Sequence, residues 1–264
     1  MFETFKVESL AIMNTASLSL FSTGKTTGIV AECGEGVSYA VPVFEGYALP
    51  HAILSLNVAG KDVTKSLITQ LSEDGVPLTK HHFEYVREMK EQMCSVALDY
   101  HSALKSKDPL DEETRSYELP DDKGIIKVDH RKRFKASEAI FNPSLIKPKE
   151  EGLVGLAGIT FRAIEKCDAD LKINLYNNVV LAGGTTLMPG FHERFDHELK
   201  TLAMNATKTD INVYADLHRK YAAWIGGSML ASFSTFSDMT IKRDEYENVQ
   251  DTEKSQLILK KTIY

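Results

Sequence analysis

The stretch from Thr27 to Leu56 constrains the fold more than any other, because its apolar residues alternate between tight turns. Gly28-Ile29-Val30-Ala31 runs into Glu32-Cys33-Gly34-Glu35-Gly36, Val37-Ser38-Tyr39-Ala40-Val41-Pro42-Val43-Phe44 alternates, and His51-Ala52-Ile53-Leu54-Ser55-Leu56 follows. A period of two with glycine at the breaks favours three short strands. From Asp62 to Leu71 the period changes, since Val63, Leu67, Ile68 and Leu71 recur at helical spacing and Asp62 stands where it can cap the start. The order is strand, strand, strand, helix.

A polar stretch follows, with an amphipathic helix expected over Tyr85-Val86-Arg87-Glu88-Met89-Lys90-Glu91-Gln92-Met93-Cys94 and a charged loop from Lys105 to Lys123 containing Pro109 and Pro120. This region reads as a smaller inserted domain. The main pattern resumes at Asn178-Val179-Val180-Leu181-Ala182-Gly183-Gly184, an apolar strand ending in paired glycines. A helix from Phe191 to Leu202, a strand at Ile211-Asn212-Val213-Tyr214 and a helix from Trp224 to about Phe236 complete it. Three antiparallel strands and then alternating helix and strand give a ribonuclease-H-like α/β layer with a large insertion after its first helix.

With 264 residues and 43% hydrophobic content the chain can bury a real core. A net charge of -6 argues against binding nucleic acid through phosphate neutralisation. The single basic cluster, His130-Arg131-Lys132-Arg133 with Lys135, is short, lies among acids and reads as a solvated loop or strand edge. Cys33, Cys94 and Cys167 are odd in number and widely spaced, which suggests reduced intracellular thiols and neither a disulfide framework nor a metal site. No run approaches the ~18 consecutive apolar residues of a membrane span. A cytoplasmic protein without nucleic-acid or membrane partners is expected.

Collinear blocks along nearly the whole chain resemble the actin family: Met1-Phe2-Glu3-Thr4-Phe5, Thr26-Thr27-Gly28-Ile29-Val30, Glu45-Gly46-Tyr47-Ala48-Leu49-Pro50-His51-Ala52-Ile53-Leu54, and Ser116-Tyr117-Glu118-Leu119-Pro120-Asp121. Further on come Gly183-Gly184-Thr185-Thr186, Arg219-Lys220-Tyr221, Trp224-Ile225-Gly226-Gly227-Ser228 and Ser234-Thr235-Phe236. A lone Gly-x-Gly would mean little beside such a series. The resemblance implies the C-terminal half of the actin-like ATPase fold with an inserted α/β subdomain, the N-terminal half being missing. An actin has, before the position of Met1, its first phosphate hairpin, a phosphate-contacting lysine and the small subdomain used in longitudinal filament contacts. By the same resemblance residues 1–21 and 222–264 are a remnant of subdomain 1, residues 22–58 and 149–221 are subdomain 3, and residues 59–148 are subdomain 4.

The turn Glu32-Cys33-Gly34-Glu35-Gly36 has the form of a glycine-rich hairpin whose backbone can approach an anion, and it matches the second phosphate hairpin of actin. A plain β-turn is the other reading of the same residues. The resemblance implies a nucleotide site, for ATP or ADP with Mg, at Gly34, Glu35, Gly36, Gly60, Arg87, Lys90, Glu91, Gly183, Gly184, Met188 and Lys220. Without it, Arg87 to Glu91 is a solvated helix face with i,i+4 pairing, and the paired glycines at 183–184 and 226–227 serve close packing and tight entry into a helix. Against catalysis stand degenerate positions: where the family resembled has a water-positioning Gln, a His on the same water network and two aspartates, this chain has Thr15, Tyr39, Glu32 and Glu35, and Cys33 replaces a serine. Each added methylene moves a carboxylate by about an ångström, more than the roughly half ångström that productive sites tolerate.

Two functions remain open at this point. One is a non-catalytic structural subunit of a cytoskeletal or axonemal assembly, partnered by actin, an actin-binding scaffold or a chain supplying the missing part. Leu10, Ile12, Leu18, Leu20 and Phe21, with Met229, Leu230 and Phe233, would then form an uncovered apolar surface. The other is an ordinary actin-type ATPase seen as a fragment. Because longitudinal filament contacts need a substantial complementary area, the chain alone is expected to stay in the supernatant when sedimented in polymerising salt; regular filaments in the pellet would contradict that expectation.

Overall fold

The computed structural model describes all residues except 77, 79–81, 107–113, 120–123, 205, 207 and 263–264. It opens with a short helix α1 (Phe2–Phe5), strand β1 (Ser9–Leu10) and helix α2 (Thr15–Phe21). The Asn14 side chain caps α2 by accepting from the Ala16 N–H at 2.8 Å. The three expected strands follow as β2 (Gly28–Cys33), β3 (Ser38–Phe44) and, after an unexpected two-residue strand β4 (Tyr47–Ala48) and a 3-10 turn at Pro50–Ala52, a shortened β5 (Leu54–Leu56). β3 pairs antiparallel with β2, β4 and β5.

The next helix is α3 (Gly60–Glu73), which starts earlier than the apolar period suggested. Asp62 is therefore not its cap. It lies inside the first turn and its carboxylate accepts from the Ala59 N–H at 3.1 Å, satisfying one of the helix's orphan donors from within. Then come α4 (Phe83–Met93), close to the expected helix, α5 (Tyr100–Lys105), strands β6 (Arg115–Glu118) and β7 (Ile125–Val128), and α6 (His130–Ser137).

Two expectations fail in this region. The charged segment from Lys105 to Lys123 is not simply a loop, because β6 and β7 form an antiparallel ribbon with Tyr117, Ile126 and Val128 buried; Pro109 and Pro120 lie outside the described residues. Tyr117 also donates to Glu88 on α4 at 2.7 Å. The basic cluster is helix α6, not a solvated loop or strand edge. Asp129 caps it through the Lys132 N–H at 2.9 Å, Lys132 pairs with Asp74 at 2.8 Å and with Asp129, and Arg133 is only 3% exposed. A local cap at Asp129 and the carboxylate of Asp74, just past the end of α3, turn a basic run into a packed helix.

Beyond α6 lie α7 (Leu156–Glu165), α8 (Ala169–Asn177), β8 (Val179–Ala182), α9 (Phe191–Ala203), β9 (Val213–Tyr214), α10 (Ala222–Ala231), β10 (Ile241–Lys242), α11 (Arg243–Glu247) and α12 (Asp251–Lys261). The strand expected at Ile211–Tyr214 is confined to its last two residues, and the helix expected to reach Phe236 ends at Ala231, a 3-10 turn running on from Ser234 to Met239. The main sheet has the order β4-β3-β2-β8-β9 with β5 also on β3. β2 is parallel to β8, and β8 to β9. β1 and β10 join the two ends of the chain as a separate pair.

Both faces of the sheet are covered, which is why its central strands are apolar at nearly every position. Ile29, Ala31, Cys33, Ala40, Val179 and Leu181 point into the larger core with α3, α4, α7 and α9. Val30, Val41, Val43, Val180 and Ala182 point the other way, onto Ala16 and Leu20 of α2 and Ala222 of α10. α2 and α10 approach so closely that a Cβ on Gly226 would sit 1.7 Å from the Leu18 carbonyl oxygen, so this glycine serves helix–helix contact in mid-helix. The expected uncovered end is consequently only partly uncovered. Leu20 and Leu230 are buried and Phe2 stacks on Tyr246, whereas Phe5, Ile12, Met229, Phe233 (57%) and Trp224 (75%) are exposed.

A buried ion pair ties α9 to the segment after α6. Arg194 donates to both oxygens of Glu138, at 2.9 and 3.2 Å, to the Ala97 carbonyl at 2.7 Å, and lies 5.0 Å from the Phe141 ring centre. Removing one member of such a pair leaves an uncompensated charge, so Arg194→Met alone is expected to cost about 3–5 kcal/mol. Adding Glu138→Leu should recover most of the loss, and urea denaturation of the two variants measures the difference.

Candidate functional site

Parallel pairing of β2 with β8 delivers two glycine turns to the same place. Past Cys33 the chain turns through residues 34–37; past Ala182 it turns through Gly183 and a 3-10 segment from Gly184 to Leu187. Gly183 has φ +92, and a Cβ there would stand 2.3 Å from the Cys33 carbonyl oxygen, so both conformation and space demand glycine. Thr185 bridges the turns, its hydroxyl donating to the Gly34 carbonyl at 2.7 Å. Arg219 fastens the second turn from beneath, donating to Thr186 Oγ1 and to the Thr186 carbonyl, each at 2.9 Å, and to the Asp216 carbonyl at 2.7 Å.

The first turn is anchored on the start of α3, where the Gly60 N–H donates to Gly34 at 3.0 Å and the Lys61 N–H to Glu35 at 2.8 Å. A Cβ on Gly60 would meet Thr185 Oγ1 at 2.4 Å, so glycine is needed where three segments converge. Lys90 of α4 is 3% exposed; its ammonium donates to the Gly60 carbonyl at 3.1 Å and lies 3.7 Å from the Glu35 carboxylate. Neither Gly34 nor Gly36 adopts a positive φ, and nothing lies within 4 Å of a Cβ built on either. Glycine at these two positions leaves open space above the turn and is not a response to an unusual dihedral angle.

The result is a pocket of about 660 Å³ lined by Gly34, Glu35, Glu84, Arg87, Lys90, Glu91, Gly184, Thr185, Leu187, Met188 and Lys220. Its volume is that of a small-molecule site. Eight of the residues expected to hold a nucleotide thus line one cavity: Gly34, Glu35, Arg87, Lys90, Glu91, Gly184, Met188 and Lys220. Gly60 and Gly183 stand directly behind it, and Gly36 lies on the first turn outside the lining. Sequence reasoning passed over Glu84, Thr185, Leu187 and Arg219. Glu84 was legible as the i−3 partner of Arg87, whose guanidinium it holds at 2.7 Å and keeps firmly protonated. Thr185 and Arg219 belong to the blocks that carry the resemblance, but their bonds are made across the fold.

Thr15, Glu32 and Tyr39 do not line the pocket. The Thr15 hydroxyl donates to the Glu32 carboxylate at 3.4 Å, Glu32 lies opposite Tyr39 in the β2–β3 ladder, and Tyr39 is exposed. Cys33 is fully buried under Ser38, and burial pushes its thiol up to about 12, so it is no nucleophile. Burial also pushes the Glu32 carboxyl up, with the Thr15 hydrogen bond opposing the shift. A carboxyl whose folded pKa is raised favours folding in acid, and that contribution is lost as pH rises through the folded value. Glu32→Gln, which cannot ionise, should therefore melt at a higher temperature than the parent at neutral pH, and the advantage should fade as the pH falls through the carboxylate range; thermal denaturation at the two pH values checks this.

Among the described residues no helix is long and apolar enough to cross a membrane, and among them no group of three or more His, Cys, Asp or Glu residues is placed to hold a metal ion. The model of the actin family matches residues 1–261 of the 264, covering every element described above. With the mixed α/β sheet, the two glycine turns facing one another across it and a match of that extent, the chain belongs to the actin family.

Proposed function

We propose that this chain is a non-hydrolysing structural subunit of a cytoskeletal or axonemal assembly, and that any adenine nucleotide it takes up is a structural ligand. One observation carries the reading: the residues suited to holding a nucleotide converge on one pocket, while Thr15, Glu32 and Tyr39, at the positions that would order an attacking water, lie outside its lining. The pocket fits the group in size, and the open space at Gly34 and Gly36 lets a ligand approach the main chain. Gly34, Glu35, Arg87, Lys90, Glu91, Gly184, Met188 and Lys220 would hold it. A nucleotide bound with Mg²⁺ would supply a phosphoanhydride and its metal.

Phosphoryl transfer depends almost wholly on positioning and electrostatics, so the missing orienting group decides the outcome. Thr15 has a hydroxyl where the family has a longer amide, and that hydroxyl is already given to Glu32. The ammonium of Lys90 is likewise committed, to the Gly60 carbonyl and the Glu35 carboxylate. The pocket residues would bind and orient the nucleotide. An ordinary actin-type ATPase is the second reading, favoured by the convergence of eight expected residues on one cavity.

The exposed side chains at Phe5, Ile12, Trp224, Met229 and Phe233 support a protein partner over them, whether an actin, an actin-binding scaffold or a chain supplying the remaining part of the fold. Steady-state phosphate release from MgATP by the 264-residue chain should equal that of buffer, measured beside a conventional actin as control. Release above buffer that is abolished by Lys90→Ala would favour the ATPase reading. Trp224→Ser with Phe233→Ser should leave phosphate release unchanged and lower recovery of any co-purifying actin or scaffold.

A further inference from the structure

Strand β5 is paired on one side only, with β3. An antiparallel pair uses the main-chain groups of alternate residues, so β5 also has groups directed away from β3, and among the described residues it makes no main-chain hydrogen bond beyond that ladder. Across a groove of about 520 Å³ stands a second wall, residues 152–154. Neither Leu153 nor Val154 has a main-chain partner among the described residues. Glycine fixes this wall in place. A Cβ on Gly155 would stand 2.2 Å from the Phe141 carbonyl oxygen and one on Gly158 2.7 Å from Cβ of Val154, so the stretch lies close against the start of α7. Arg162 ties its near end down by donating to the Gly152 carbonyl at 3.3 Å.

Between the walls the lining is apolar, at Leu56, Ile159 and Phe161, and its charges are unevenly committed. Glu165, the one acid of the lining, already accepts from Lys172 at 2.8 Å and from the Tyr176 hydroxyl at 3.0 Å on α8. Arg162 and Lys166 are exposed and make no ion pair among the described residues. The groove therefore presents unpaired main-chain groups on two sides, apolar side chains between them and two cations that have no carboxylate. A helix satisfies its own main chain and has nothing to give such walls. An extended segment has N–H and carbonyl groups for both, while its alternate side chains enter the lining and the others face outward.

We propose that this groove takes up an extended acidic segment of a partner protein as an added strand beside β5, with apolar side chains turned into the lining and carboxylates set against Arg162 and Lys166. The three residues of β5, at about 3.3 Å each, limit the added strand to about three to five residues. Contact of that size lies well below a standard interface, so the attachment is weak and reversible. The groove shares no residue with the pocket beside α4 or with the exposed end around Trp224, and its occupation requires neither a nucleotide nor a partner at that end.

The test is fluorescence anisotropy of a dye-labelled peptide of sequence DVTVD, blocked at both ends, titrated with the 264-residue chain. It should bind with a dissociation constant of about 0.1–1 mM, and its counterpart KVTVK at least about tenfold more weakly. A DVTVD peptide N-methylated at its three central residues keeps the side chains and loses the donors, and it too should bind about tenfold more weakly. Arg162→Glu with Lys166→Glu, both on the surface, should reverse the preference between the two peptides at an unchanged melting temperature; if the double variant melts lower, Lys166→Glu alone should weaken DVTVD about threefold. Hydrogen exchange should slow at residues 54–56 and 153–154 when DVTVD is added. The proposal is overturned if DVTVD does not bind, if the methylated or the basic peptide binds equally well, or if protection falls elsewhere. Self-association of the chain without peptide, abolished by the double variant, would make the occupant a second copy and overturn it as well.

Discussion

The parallel pairing of β2 with β8 is the constraint on which the rest of the molecule depends. Parallel neighbours need a crossover long enough to return to the same end of the sheet. Here the crossover contains the whole of the segment from β3 to α8. Its closure places Thr185 in contact with Gly34, 151 residues away in sequence, and the turns that meet there form one wall of the pocket. Gly183 is what makes the contact possible, since any Cβ would strike the backbone of Cys33. The other wall is α4, whose orientation follows from its packing on α3 and from the burial of Lys90 over the first turn of that helix.

Charge is used differently in the core and at the pocket. In the core, Arg194 and Glu138 meet in a two-bonded pair with further acceptors around the guanidinium, which is what a buried ion needs to offset its lost hydration. Arg219 is also buried but has hydroxyl and carbonyl partners in place of a carboxylate, and burial lowers its pKa from the usual arginine range. Its work is to hold the Gly183–Leu187 turn against the segment before α10. At the pocket, the pairs around Arg87, with Glu84 and Glu91, are more exposed. Such pairs contribute little to stability, about 0–1 kcal/mol each.

The elements most legible in the sequence were those whose burial pattern is simple. β2, β3, β5 and β8 show unbroken or alternating apolar residues because the sheet is covered on both faces. α3, α4 and α9 were legible from a single apolar stripe. α7 was not read from the sequence; its first turn, Leu156-Ala157-Gly158-Ile159, is apolar at every position, and the helix is buried between β3, β5 and α9. The β6–β7 ribbon is hidden among charged residues and shows itself only through Tyr117, Ile126 and Val128, each buried by a neighbour distant in sequence. α6 looked solvated because four successive side chains are basic, yet Asp74 and Asp129 turn Lys132 into a packing residue.

The sequence by itself determined the family, through blocks that run along the whole chain, and the residue types of the pocket, because glycine, lysine and carboxylate at those positions can be read directly. It determined the residue types at Thr15, Glu32 and Tyr39 for the same reason. Tertiary structure alone decided which of these groups meet. The convergence of Gly34, Lys90, Gly184 and Lys220, the exclusion of Thr15 and Glu32 from the lining, and the pairing of Lys90 with Glu35 depend on contacts between residues far apart in the chain. Such contacts are set by sheet register and helix packing, and no local pattern of side chains encodes them.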